Sequence, residues 1–121
     1  MKSLSGERYI ALETYRRGGT PVRTTVWFVE DGQKLYIRTP PNSGKAKRMS
    51  RNPRVRAAPC TFSGEPKTES VEMVAKVASP DDANVVSALF GKKYGIQKWG
   101  TDIRARLLRK EYRIYSLEPV P

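Results

Sequence analysis

Two β-prone runs facing each other across Asp31-Gly32 constrain this chain more than any other feature of its 121 residues. Residues 22–30 read V-R-T-T-V-W-F-V-E, rich in β-branched and aromatic side chains, and residues 34–39 read K-L-Y-I-R-T. An Asp-Gly pair between two such runs is the strongest short hairpin signal, because both tolerate the positive φ that the central turn positions need. A further strand is expected over residues 9–16, before the turn chemistry of Arg17-Gly18-Gly19-Thr20-Pro21. The first third therefore reads as an antiparallel meander.

The rest of the chain supplies partners for that sheet. Pro40-Pro41 stops the third strand, since proline cannot donate to a ladder. Residues 42–52 read as a short helix, capped by Asn42 or Ser43 and ended by Pro53. Strands are expected over residues 54–62 and 69–78. In the latter Val71, Met73, Ala75 and Val77 alternate with polar positions. Ser79-Pro80-Asp81-Asp82 has the cap, the first-turn proline and the acids of a helix start. Val85, Val86, Leu89 and Phe90 follow as its apolar stripe, and Lys92, Lys93 and Gly95 close it. The basic segment 96–110 is a candidate third helix, and residues 111–117 a last strand, with Pro119-Val120-Pro121 as an extended tail. The expected fold is mainly β: a single domain over residues 1–121, built as a six-stranded antiparallel barrel with two to three short helices outside. Closure of the barrel removes exposed edges.

Composition excludes several chemistries. The chain has no histidine and one cysteine, Cys60. A Ser-His-Asp triad, a histidine metal triad and a histidine-ligated haem are therefore out of reach, as is an internal disulfide. Cys60 is expected to be a buried small hydrophobe. No apolar run approaches the roughly 20 residues of a membrane span, and the N-terminus lacks a signal-peptide core. A cytoplasmic domain is the expectation.

Lys plus Arg number 23 against 12 acids, a formal charge of +11. That excess points to an anionic partner: nucleic acid, an anionic membrane or a phosphate-bearing small molecule. The cations are clustered. Residues 42–56 carry Lys45, Lys47, Arg48, Arg51, Arg54 and Arg56 and no acid. Ser43-Gly44-Lys45 stands at a helix start just after a strand, where free amides, the helix dipole and an ammonium can converge on an anion. Gly44 lets a phosphate come close to the backbone. A Walker motif is absent, and Lys47 and Arg51 are equally an ordinary solvated helix face. Arg23 on the second strand and Arg38 on the third could line one pocket with Lys45, with the aromatic residues Trp27, Phe28 and Tyr36 nearby.

These segments in this order resemble the pyridoxamine 5′-phosphate oxidase-like, FMN-binding split-barrel superfamily, and within it the small members that use the deazaflavin coenzyme F420. The match rests on P-V-R-T-T-V-W-F-V-E-D-G (21–32), L-Y-I-R-T (35–39), S-G-K-A-K-R-M-S-R-N-P-R-V (43–55) and K-Y-G (93–95), and spans about residues 8 to 118. The resemblance implies a cofactor, FMN or coenzyme F420. It implies that Arg23 is the basic residue of the second strand and that Thr24, Thr25, Val26 and Trp27 run beside the ring, with the two threonines donating to its edge. Thr39 matches the phosphate-side threonine, Ser43 and Lys45 the phosphate-binding serine and lysine, and Ser70 falls near a position that reaches the ring. Arg38 and Arg48 are further candidates for anionic groups. An arginine often precedes the lysine in flavin-using relatives; here it is Gly44, which leaves room for the longer, more acidic tail of F420. The resemblance further implies a homodimer with the site at the subunit interface, to which the region of Lys93, Tyr94 and Trp99 can contribute from the second subunit. It implies an oxidoreductase moving hydride to or from an organic substrate. A true pyridoxamine phosphate oxidase is not expected, because that enzyme places a histidine on its substrate. The alternatives are a small basic barrel that binds single-stranded nucleic acid by stacking and phosphate contacts, and a flavin carrier or sensor without turnover.

Overall fold

The computed structural model describes residues 6–94 and 112–120. Six strands, β1 (Tyr9–Tyr15), β2 (Pro21–Asp31), β3 (Lys34–Thr39), β4 (Arg54–Pro59), β5 (Val71–Val77) and β6 (Arg113–Pro119), close into a barrel. Their order around the ring is β1-β2-β3-β6-β5-β4, every neighbour antiparallel, with β4 returning to β1. The helices are α1 (Gly44–Arg51) and α2 (Pro80–Tyr94). The expected strands and both expected helices are present. The candidate helix over 96–110 lies outside the described residues.

The period of two decides what fills the barrel. Ile10 and Leu12, Val26 and Phe28, Leu35 and Ile37, Val55 and Ala57, Met73 and Ala75, and Tyr115 and Leu117 form one buried cluster inside the ring. Ala46 and Met49, three residues apart on α1, join that cluster, so α1 lies against the barrel with its polar face outward. A second cluster lies outside the wall. Val29, Tyr36 and Ile114 of β2, β3 and β6 pack beneath Val86 and Phe90 of α2, with Trp27 and Leu89 partly buried beside them.

Small departures from the sequence reading have physical reasons. The hairpin turn sits one residue later than expected: Asp31 still pairs with Lys34, and Gly32, at φ +64°, leads the turn. β4 ends at Pro59, because the chain folds back through a Cys60–Pro66 bridge. β6 runs on to Pro119, which pairs with Met73, so Pro119 belongs to the sheet and not to a tail. Val85 is 56% exposed, since the stripe that touches the barrel is narrower than the apolar run. Cys60 is buried, as expected. Glu118 bridges Lys34 at 3.3 Å and Lys76 at 3.4 Å across three strands, but these groups stand in water, where such pairs contribute about 0–1 kcal/mol. The barrel is held by its interior.

Candidate functional site

The entry to α1 is built from local signals. β3 ends at Thr39, which is buried, and Pro40-Pro41 turns the chain. Ser43 is the N-cap: its Oγ accepts from the Ala46 amide at 3.1 Å and lies 3.0 Å from Thr39 Oγ1. No acid occupies the first turn of α1, so nothing on the helix itself offsets the positive end of its dipole.

Arg48 folds back over that turn. Its Nε donates to Thr14 Oγ1 of β1 at 2.7 Å, and its Nη1 lies 2.9 Å from where a Cβ on residue 44 would sit. Gly44 therefore leaves the space that the Arg48 guanidinium uses. Lys45, next along the helix, is half-buried, and burial first and Arg48 second hold its ammonium below the ordinary value of 10.5. The groove alongside is lined by Arg16 and Arg17 from the β1–β2 turn and by Gly44, Lys47, Arg48 and Arg51 of α1. It is open, about 480 Å³ in volume, and among the described residues no acidic or aromatic side chain lines it. Two elements far apart in sequence thus place five cations around one hollow.

Arg16, Arg17 and Thr14 were not among the residues expected to form a site. The Arg16-Arg17 pair reads as turn chemistry, and only the approach of α1 to the end of β1 gives it a role. Lys47 and Arg51, whose i, i+4 spacing equally suits a solvated helix face, form part of the groove wall.

The other candidates lie elsewhere on the barrel. Arg23, Thr25 and Trp27 point outward from β2, whereas Val26 points inward with Phe28. Thr24 shares the inward parity, so the side chains of Thr24 and Thr25 address opposite faces and cannot both reach one ring. Thr24 Oγ1 is buried with no hydrogen-bond partner among the described residues. Arg38 lies over the Phe90 ring at 5.5 Å and the Tyr112 ring at 4.6 Å, and burial lowers its pKa. Arg23, Arg38 and Lys45 therefore do not line one pocket: strand parity turns Arg38 toward α2, Arg23 stands opposite Glu13 on the outer wall, and Lys45 sits on α1. Ser70 precedes β5, separated from β2 by β4 and β1.

Candidate proton donors sort themselves by environment. Tyr36 is 5% exposed beneath α2, and burial raises its pKa, which holds it protonated. The Lys93 ammonium donates to the Phe28 carbonyl at 3.0 Å and lies 3.5 Å above the Phe28 ring. Burial brings its pKa down to about 8. It is tied to β2 of its own chain. Trp99 and the Tyr94 side chain lie outside the described residues.

A closed six-stranded antiparallel barrel with one short helix against its end and one along its wall defines a split-barrel protein. The sequence model of the family described as pyridoxamine 5′-phosphate oxidase matches residues 2–114, and the chain belongs to that family. No curated protein matches the sequence. Among solved structures, the chain is similar to HutZ, described as the haem storage protein of Vibrio cholerae, with 18% identity, a TM-score of 0.74, and coverage of 96% of this chain and 84% of that one. It is similar to an F420 reductase at 21% identity and a TM-score of 0.59, over 95% and 90% of the two chains. A haem-binding protein from Mycobacterium smegmatis matches at 14% identity and a TM-score of 0.70, over 96% of this chain and 48% of that one. At these identities the likeness is one of fold.

Lys45 gives the site a pH signature. An anion beside its ammonium favours the charged form and raises the depressed pKa, so anion binding takes up a proton. Affinity is full below the lowered pKa and falls as pH rises through it. Titrating inorganic pyrophosphate across the alkaline range should show this fall beginning below the ordinary lysine value, and Lys45→Met should flatten it.

Proposed function

We propose that this chain is an oxidoreductase that binds coenzyme F420, with FMN as the weaker ligand, and moves hydride between that cofactor and an organic substrate as a cytoplasmic homodimer. The observation that carries the reading is the all-cation groove that runs from Gly44 along α1. A single phosphate needs the Ser43 cap and Lys45. Four cations beyond that seat, Arg16, Arg17, Lys47 and Arg51, with no acid beside them among the described residues, suit a longer polyanionic tail. Thr39, Ser43, Lys45 and Arg48 would hold the phosphate, and Arg16, Arg17, Lys47 and Arg51 the acidic extension. When bound, the cofactor supplies the hydride chemistry, and the protein supplies position and charge.

The residues give a haem neither a histidine nor an accessible thiolate ligand. The chain has no imidazole, its one thiol is buried, and Met49 and Met73 are inside the core. Nucleic-acid binding by stacking is less favoured, since among the described residues no aromatic side chain lines the groove. The test is a fluorescence titration of the purified protein with F420 and with FMN at low and high salt. F420 should bind more tightly and with the steeper salt dependence. Dissociation constants above about 100 μM for both, weaker than roughly −5.5 kcal/mol, would overturn the reading. Hydride transfer measured as loss of reduced F420 absorbance with candidate acceptors separates an enzyme from a carrier.

A further inference from the structure

Ile10, Leu12 and Thr14 share the inward parity of β1, and the last of them carries a hydroxyl where the other two are apolar. Thr14 is 1% exposed, so this hydroxyl needs a partner inside the protein. Arg48 supplies it from 34 residues further along the chain, its Nε donating to Thr14 Oγ1 at 2.7 Å. Arg48 forms no ion pair among the described residues. The bond therefore fixes the guanidinium without neutralising it.

The atom that is tied decides which edge is presented. A guanidinium has five N–H donors in a rigid plane, one on Nε and four on the two Nη atoms. With Nε bound to Thr14, the four Nη donors remain. Nη1 and Nη2 lie 2.9 and 3.8 Å from the position that a Cβ on Gly44 would take, so the Nη end of the plane stands over the first turn of α1. Lys45 is in that turn, held below its ordinary pKa of 10.5 by burial first and by Arg48 second. Two cations thus meet at the start of a helix whose first turn has no acid. We propose that Thr14 is a positioning residue of this anion seat: by accepting from Nε it aims the Arg48 plane, so that both Nη atoms are presented to a phosphoryl group beside Gly44 and Lys45. Without the Thr14 oxygen the long side chain is free to spread over the open groove, and its fork must be ordered each time an anion binds. The proposal rests on the seat of the proposed function and adds the group that aims it.

Inorganic pyrophosphate titrated calorimetrically into the purified full chain tests the positioning apart from the redox cofactor. Thr14→Val keeps the shape of the side chain and removes its acceptor, and should weaken pyrophosphate by about three- to tenfold. Thr14→Ser returns the oxygen and should recover most of the affinity. In an Arg48→Ala background Thr14→Val should have no further effect, because the two residues act as one unit; a general loosening of the barrel would weaken binding in both backgrounds. Arg48→Lys keeps the charge but has no fork, and should bind no better than Thr14→Val. Wild-type affinity in Thr14→Val, additive losses in the double variant, or a wild type that does not bind pyrophosphate would overturn the proposal. If Thr14→Val fails to fold, Arg48→Lys serves instead, and wild-type affinity there has the overturning sense. A chain that shows this pattern with pyrophosphate and binds neither F420 nor FMN would keep Thr14 in its role and remove the functional reading alone.

Discussion

Phe28→Ala is expected to destabilise the fold by about 3–5 kcal/mol, the range for removing a large aromatic side chain from a packed core. Phe28 is wholly buried at the inner end of β2, among the residues that fill the ring. A barrel interior cannot collapse onto the void as a helix pair can, because every wall strand is held on both sides by hydrogen bonds. The upper part of the range is therefore expected. Since small domains have about 5–15 kcal/mol in total, the variant should sit near the edge of stability at room temperature. Urea denaturation followed by circular dichroism measures it. Leu89→Ala, on α2 at the partly buried fringe of the outer cluster, is the control and should cost clearly less. Equal losses at the two positions would mean that the barrel interior is not the main source of stability.

The second large effect concerns binding. Arg48→Ala should weaken F420 by roughly 10–100-fold, the loss of one hydrogen-bonded contact to a charged group at about 1.5–3 kcal/mol. It should also cost some stability, because Thr14 Oγ1 loses its donor and Thr14 is 1% exposed. Gly44→Ala separates the two effects. Its new methyl meets only the far end of the Arg48 side chain, which can swing aside. Stability should then stay within about 1 kcal/mol of wild type, alanine being the better helix former. Affinity should still fall, because the guanidinium has left its place. Full affinity in Arg48→Ala would take Arg48 out of the site.

The fold was largely legible because its signals are local. Alternation marks which residues of β1, β2 and β3 fill the barrel, and Ser43, Pro53, Ser79 and Pro80 bracket the helices. The seat at α1 was legible for the same reason: Ser43, Gly44 and Lys45 are adjacent, and the cap geometry follows from them. The groove was only half legible. Arg16 and Arg17 join it through the packing of α1 beside β1, a contact between segments some thirty residues apart that no periodicity announces. Arg38 illustrates the converse. Its charge suggested a pocket, but its parity on β3 sets it outward, and the apolar ring of Phe90 on α2 then decides its neighbours. Thr24 and Thr25 show how one step along a strand separates two similar residues by the thickness of a sheet.

The position of β6 in the ring has a consequence for biosynthesis. It is last in sequence, yet it lies between β3 and β5. About 35 residues separate it from β5, which at roughly 5–20 residues per second means a delay on the order of seconds on the ribosome. During that interval the nascent five-stranded sheet has two unpaired edges, β3 on one side and β5 on the other, each able to recruit a stray strand from a neighbouring chain. Yield in a cell should therefore respond to translation speed and chaperone supply through the interval before residues 113–119 emerge, more than to the stability of the finished barrel.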